Sequence, residues 1–463
     1  MKFRHPVLAH ALAALVVAAA GLSGGVLLAF VSAPIAALLA AQSVMGSGDS
    51  VIVPRYSVGL GLVSLGFAVL LFLASHLGAA LLVVLAAAVV MATAIDASLR
   101  MEPPSGPETE VDGFDLRLGL GVVTDEALRC AIELRQRMQP GPEFTQMAGE
   151  VRIAADRNHE EGWIARPERA HPIPPPLEKP VLRRTRIAGV GDAELLCFPS
   201  EFVAQDPEFD FDAMAGPSNR VARATLFRDS RRPRPTVIFL HDFGFGRPAI
   251  DAQIADVAGL RSAGFDVALL TLPLHGARSS GWTSENGFLG GSVLATNAAV
   301  AQSVWDGRCL AGWLGARGVP SLAFFGIGLG GYVTALVASL HEGLAAAIIV
   351  GTPAALDSCF WRQMPPHRIA QLQNSGLTAH VLDHAWARHA PLRVRPRVAH
   401  EGRLVVGNTA DRIVPPSEIE RLWQHWGQPA SLWDAGTHCL WRDPQAIRNR
   451  IVSHLKDHLF DTH

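Results

Sequence analysis

Ser321-Leu322-Ala323-Phe324-Phe325-Gly326-Ile327-Gly328-Leu329-Gly330-Gly331-Tyr332 decides how the rest of the chain is read. An apolar run of strand length ends in a cluster of glycines, and an apolar helix-forming stretch follows from Tyr332 without a spacer. A chain that turns from strand to helix within a few residues adopts strained backbone angles and brings the two elements close together. Glycine meets both demands. Gly326, Gly330 and Gly331 allow the close approach, and Gly328 stands at the tip of the turn.

Outward from this turn, strand-like and helix-like segments alternate from Leu182 onward with short connections, the pattern of a mostly parallel α/β sheet. Strands are expected at 193–198, 221–227, 236–240, 265–272, 321–325, 345–350, 403–407 and 430–433, with a helix at 295–315. The run Thr-Val-Ile-Phe-Leu at 236–240 has the unbroken apolar character of a strand covered on both faces. It leads into His241-Asp242-Phe243-Gly244-Phe245-Gly246-Arg247-Pro248. The next strand leads into Leu272-Pro273-Leu274-His275-Gly276-Ala277-Arg278. Further on come Asn408-Thr409-Ala410-Asp411-Arg412-Ile413-Val414-Pro415 and Gly436-Thr437-His438.

Taken in this order, the motifs resemble those of the α/β-hydrolases. Strand, Gly-x-nucleophile-x-Gly-Gly and helix form that family's nucleophile elbow. The His241 loop resembles its oxyanion loop, Asp411 its acid and His438 its histidine. The stretch from the His241 loop through "LPLHGARSSG", "SVWDGRCLAGWL" and "GLGGYVTALVASL" is similar to a bacterial, esterase-like branch. The resemblance implies an α/β-hydrolase fold over residues 182–463, with a lid insertion at about 353–400 around Trp361. It also implies serine at position 328, where this chain has glycine, and glycine at position 242, where it has aspartate.

The ordinary mechanism uses a hydroxyl activated by histidine, an acid that orients the ring, and backbone donors for the oxyanion. Gly328 has no attacking atom. His438 and Asp411 would still form a dyad, with donors expected from Leu329 and the His241–Asp242 turn, although the Asp242 side chain could alter or block the hole. Several readings stay open: a binding or scaffolding module, an enzyme using the dyad as a general base, a hydrolase with a displaced nucleophile, or a misaligned elbow. Cys439 follows His438, but adjacent loop residues point apart. Ser303, Ser321 and Ser339 lie inside expected helix or strand. The string Gly-Leu-Ser-Gly-Gly at 21–25 imitates an elbow but has no strand before it. His275, Arg278 and Arg247 are ligand-pocket candidates, weighed against turn-stabilising roles for the first two and a solvated arginine for the third. His380, His384 and His389 lack the carboxylates or cysteines that would complete a metal site. No metal or other cofactor is expected.

The first hundred residues have a different character. Residues 7–41 and 57–95 carry no charged side chain, and each stretch exceeds the about 20 residues that cross a bilayer. The second divides naturally at Ser75-His76; the first contains the glycine cluster at 21–25 and Pro34. Three or four transmembrane helices are expected in residues 1–100, with four preferred over three. A cleaved secretory signal or a buried soluble helix pair fits less well, since no small-x-small cleavage site ends the run and no charged helix face exists. Lys2 and Arg4 favour a cytoplasmic N-terminus, so four spans return the C-terminal domain to the cytoplasm and three leave it outside. The bacterial resemblance implies an inner membrane. Residues 101–181 read as a juxtamembrane segment, with a helix opened by Thr124 as N-cap, another at 144–162, and a Pro-rich linker at 171–180.

Composition narrows the remaining classes. Lys+Arg total 40 against Asp+Glu 42, and no basic run is interleaved with aromatics, so nucleic acid is not an expected partner. The expected partners are the lipid bilayer and an apolar or ester-like small molecule. The 5 cysteines show no Cys-x-x-Cys spacing and read as unpaired thiols.

Overall fold

The computed structural model describes residues 6–45, 52–107, 115–138, 144–178, 180–229, 232–281, 288–289, 292–364 and 366–460. Lys2, Arg4, part of the loop at 42–56 and residues 108–112 of the membrane exit lie outside these residues. The chain forms two compact units. The first is Met1–Gln139 with Asn408–Ile413 and Ala435–Arg442; the second is Pro140–Gly407, Val414–Asp434 and Asp443–His463.

The first unit begins with four helices, α1 (Pro6–Ser23), α2 (Val26–Met45), α3 (Ile52–Leu73) and α4 (Leu77–Met101). Within them Val26–Ser43, Pro54–Leu73 and Leu77–Met101 are long and apolar enough to cross a membrane, whereas Val7–Ser23 is shorter. The break between α3 and α4 falls at Ala74–His76, with Ser75 in the left-handed region (φ 65). Pro34 lies inside α2 without ending it. Helix α5 (Leu116–Met138) follows. It starts eight residues before Thr124, capped by Asp115, whose Oδ1 accepts the Leu118 N–H at 2.6 Å. Thr124 is therefore no cap, and its hydroxyl donates to the Leu120 carbonyl at 2.8 Å. Gly119 and Gly121 hid this early start, because glycine is a poor helix former. Gly121 is there for space: a Cβ on it would lie 2.6 Å from the Thr437 hydroxyl. Buried polar pairs tie α5 to the apolar helices, Arg55 to Glu133 at 2.6 Å and Ser98 to Glu126 at 2.8 Å.

The second unit opens with α6 (Phe144–Glu160), which belongs with the sheet. Asn158 donates to the carbonyls of His384 and Ala385 at 2.6 and 3.0 Å. Glu150 accepts from the Ser292 hydroxyl and the Val293 N–H at the start of a later helix. The Pro-rich stretch is also held down, with Arg308 donating to the carbonyls of His171 and Pro172. Contacts thus divide the chain near residue 139 rather than at 181.

Nine strands follow: β1 (Val181–Ile187), β2 (Gly191–Pro199), β3 (Val221–Phe227), β4 (Thr236–Leu240), β5 (Asp266–Thr271), β6 (Leu322–Ile327), β7 (Ala346–Val350), β8 (Arg403–Asn408) and β9 (Ala430–Asp434). They form one sheet in the order β1-β2-β3-β5-β4-β6-β7-β8-β9. Pairing is antiparallel from β1 through β3 to β5, and parallel from β5 through β4, β6 and β7 to β8. Between them lie α7 (Phe211–Ala215), α8 (Pro248–Ile254), α9 (Val257–Ser262), α10 (Val293–Gly315), α11 (Leu329–Leu340), α12 (Leu356–Gln363), α13 (Pro366–Asn374), α14 (Ala379–Trp386) and α15 (Pro416–His425), and α16 (Pro444–Leu459) ends the chain. This is the α/β-hydrolase fold. Strand β1 was not anticipated, because its Leu-Arg-Arg-Thr-Arg run is exposed at an edge and lacks a buried face. Every residue of β4, β5, β6 and β7 is buried, which fixes the ends of these strands and the loops that leave them. Residues 353–400 carry helices α12–α14, with Phe360 packed edge-on against Trp361 and Trp386.

Candidate functional site

In the second unit, β6 passes directly into α11 through Gly328, whose φ of 52° and ψ of −114° lie outside the ordinary range of L residues. The helix start presents the Leu329 N–H, and the loop after β4 presents the Phe243 N–H. Both donate to one oxygen, Oδ1 of Asp242, each at 2.7 Å. The expected donors were Leu329 and the His241–Asp242 turn. The donors that converge here are Leu329 and, one residue past that turn, Phe243, and Asp242 contributes the carboxylate that accepts from both. Charge-assisted bonds of this kind contribute about 1.5–3 kcal/mol each, and the positive end of α11 adds to them.

The same carboxylate explains the glycine. A Cβ built on Gly328 would lie 1.9 Å from Oδ1, 2.3 Å from Cγ and 2.5 Å from Oδ2 of Asp242. No side chain fits at 328 while Asp242 holds this position. Gly330 is equally constrained by backbone, since a Cβ there would meet the Leu240 carbonyl oxygen at 2.0 Å.

His241 lies beneath this corner. Its Nε2 accepts the Leu272 N–H at 3.0 Å, so Nδ1 carries the proton and donates to the Asp242 carbonyl at 2.8 Å. Burial pushes its pKa down to about 4. The ring therefore works as a neutral strut joining the ends of β4 and β5. His275 packs 5.1 Å away, bonded through Nδ1 to the Pro273 carbonyl, and burial followed by the neighbouring His241 pushes it down to about 3. Arg278 is wholly buried, paired with Asp306 at 2.8 Å and donating to the carbonyls of Thr271 and Asn219. The turn-stabilising alternative thus describes His275 and Arg278, which are closed to an entering ligand. Arg247 is exposed.

The acid and the histidine lie in the first unit. Asp411 Oδ2 and His438 Nδ1 are 2.7 Å apart, with side chains 0% and 8% exposed. Asp411 Oδ1 also accepts the Ile413 N–H at 2.8 Å, which fixes the carboxylate plane. Behind them stands Asp125 of α5. Its Oδ2 accepts the N–H groups of Arg412 and His438, and its Oδ1 that of Cys439, all at 3.0 Å. Burial, and then the charge of Asp411, raise the Asp125 carboxyl above its usual range, while His438 and the N–H groups of Cys439 and Arg412 oppose the rise. The Ala410 N–H donates to the Gly436 carbonyl at 3.1 Å, so the two loops are also joined directly. No local pattern marks Asp125; only the turn of α5 that starts at Leu116 brings it here.

The remaining candidates separate cleanly. Cys439 is exposed. Ser303 and Ser339 donate to carbonyls one helical turn back, and Ser321 to the Leu459 carbonyl. His380 and His384 pack together at 4.1 Å, whereas His389 is buried beside His171. Among the described residues no group of three or more His, Cys, Asp or Glu is placed to hold a metal ion.

No family model matches the chain. It is 29% identical over 342 residues to a protein described as uncharacterized from Mycobacterium tuberculosis, covering 72% of this chain and 80% of that one. Among solved structures it is similar to an acetyl xylan esterase from Paenibacillus sp. R4, with 11% identity and a TM-score of 0.46, covering 71% of this chain and 99% of that one. It is also similar to a puromycin-hydrolyzing peptidase from Mycobacterium tuberculosis, with 16% identity and a TM-score of 0.39, covering 62% and 48% of the two chains.

Proposed function

We propose that this chain is a membrane-anchored α/β-hydrolase-fold protein that lacks ordinary serine-hydrolase chemistry and serves as a binding or scaffolding module for an acyl- or ester-like ligand or a partner. One observation carries the reading: the Asp242 carboxylate accepts both N–H donors and excludes any side chain from position 328. Acyl transfer by the covalent route needs a hydroxyl at the elbow and vacant donors for the oxyanion. Here the hydroxyl is absent, and the donors already face a negative charge that would repel a second one. A fluorophosphonate probe tests this directly. The full-length protein is expected to stay unlabelled, and stoichiometric labelling sinks the proposal.

A second reading, a catalyst without a covalent nucleophile, draws support from the short Asp411–His438 contact. Turnover of short p-nitrophenyl esters that vanishes in His438→Ala would favour it over a pure binding role. We also propose an inner-membrane location with the C-terminal domain (182–463) on the cytoplasmic side, supported by four apolar N-terminal helices when the shorter Val7–Ser23 is counted as a span. Reporter fusions at the C-terminus test this: activity of a periplasm-specific reporter would reverse the assignment.

A further inference from the structure

A groove of about 440 Å³ opens over the edge strands of the second unit, between β1–β3 and the loops that leave β4 and β5. Its walls carry Arg223, Arg247, Thr185, Thr225 and Thr271, with Ile187, Leu195 and Pro248 as apolar neighbours. Arg223 and Thr225 are two residues apart on β3 and so share a face. Arg223 lies opposite Thr271 in the β3–β5 register, which brings cation and hydroxyl to the same wall.

The arginine and threonine side chains of this groove have no ion pair with the protein among the described residues, and Arg223 Nε is buried with no hydrogen-bond partner. The nearby acid Asp306 is committed to Arg278 and to the Ser200 hydroxyl. Asp251, behind the rim, is buried against the Gly246 N–H, and burial raises its carboxyl to about 7, so it is a weak counter-charge. No hydrogen bond from the Thr185, Thr225 or Thr271 hydroxyl to protein occurs among the described residues. The rim is also rigid, because Gly246 and Gly276 interlock: a Cβ on Gly276 would meet the Gly246 carbonyl oxygen at 2.0 Å. A preformed groove with uncompensated guanidinium groups, hydroxyl donors and an apolar flank is matched by an oxyanion on a short apolar body.

We infer that this groove binds a small amphiphilic oxyanion, a phosphate or carboxylate group on a short alkyl chain, held by Arg223 and Arg247. Neither Gly328 nor Asp242 lines the groove, so the inference does not rest on the reading given for that corner. Calorimetric titration of the full-length protein in uncharged detergent tests it with inorganic phosphate, butyl phosphate and butyrate. Butyl phosphate is expected to bind more tightly than inorganic phosphate and more weakly as salt rises. Arg223→Gln and Arg247→Gln should each weaken it about tenfold or more, the scale of one lost charge-assisted bond. Butyrate binding as well as butyl phosphate, with the same arginine dependence, would support the site and name the carboxylate as its ligand. Binding of none of the three at millimolar concentration would overturn the proposal, as would binding unchanged in both variants. If Arg223→Gln does not fold, Arg247→Gln on its exposed loop decides the matter.

Discussion

The Gly328 corner and the Asp411–His438 loops both bind backbone N–H groups with a carboxylate, but they leave their functional groups in different states. The acid and histidine keep their partners: Asp411 meets His438 at 2.7 Å, and Asp125 holds the backbone of both loops. At the corner Gly328 has φ 52° and ψ −114°, and the Leu329 and Phe243 N–H groups converge on the protein's own carboxylate. Glycine at 328 and aspartate at 242 are therefore coupled, since a Cβ at 328 would collide with the Asp242 carboxylate that holds the Leu329 N–H.

The largest effect expected from this contrast is acid sensitivity of the corner. The pKa of His241 is lowered to about 4 and that of His275 to about 3, each from an unfolded value near 6.5. Between those limits the unfolded chain binds protons that the folded one refuses. The stabilisation from holding these two rings neutral is thus full above pH 6.5 and falls as pH drops toward 4, by several kcal/mol, while Asp251, raised to about 7, acts in the opposite sense over that range. Denaturant midpoints measured from pH 7.5 to 4 should show the decline, and a flat profile would show that these rings are not held neutral.

A double-mutant cycle tests the coupling itself. Gly328→Ser alone should cost about 4 kcal/mol, from strained dihedrals and collision with Asp242. Adding Asp242→Gly should recover about half, leaving the strain. Additive costs in urea titrations would mean that the two positions do not interact. In the other region, Asp125→Ala strands three buried N–H groups and should cost about 3 kcal/mol, with a shift of the His438 ring signals in NMR spectra. Unchanged spectra would remove Asp125 as the anchor of the dyad. The smallest effect is expected at exposed Cys439, where serine should alter stability by less than about 0.5 kcal/mol.

The order of the motifs, the strand-to-helix turn at 328 and the pairing of Asp411 with His438 were legible in the sequence because each rests on local periodicity or a short loop motif. The apolar N-terminal stretches were legible because composition alone distinguishes them. Strand β1 was not, since an exposed arginine-rich edge carries no alternation, and the start of α5 was masked by glycines that serve a distant contact. What only the tertiary structure decided is where the polar groups spend their hydrogen bonds. The sequence determined that position 328 has no nucleophile and that position 242 has an acid. Folding decided that the acid fills the space and takes the donors, because two loops remote in sequence converge there on one oxygen atom.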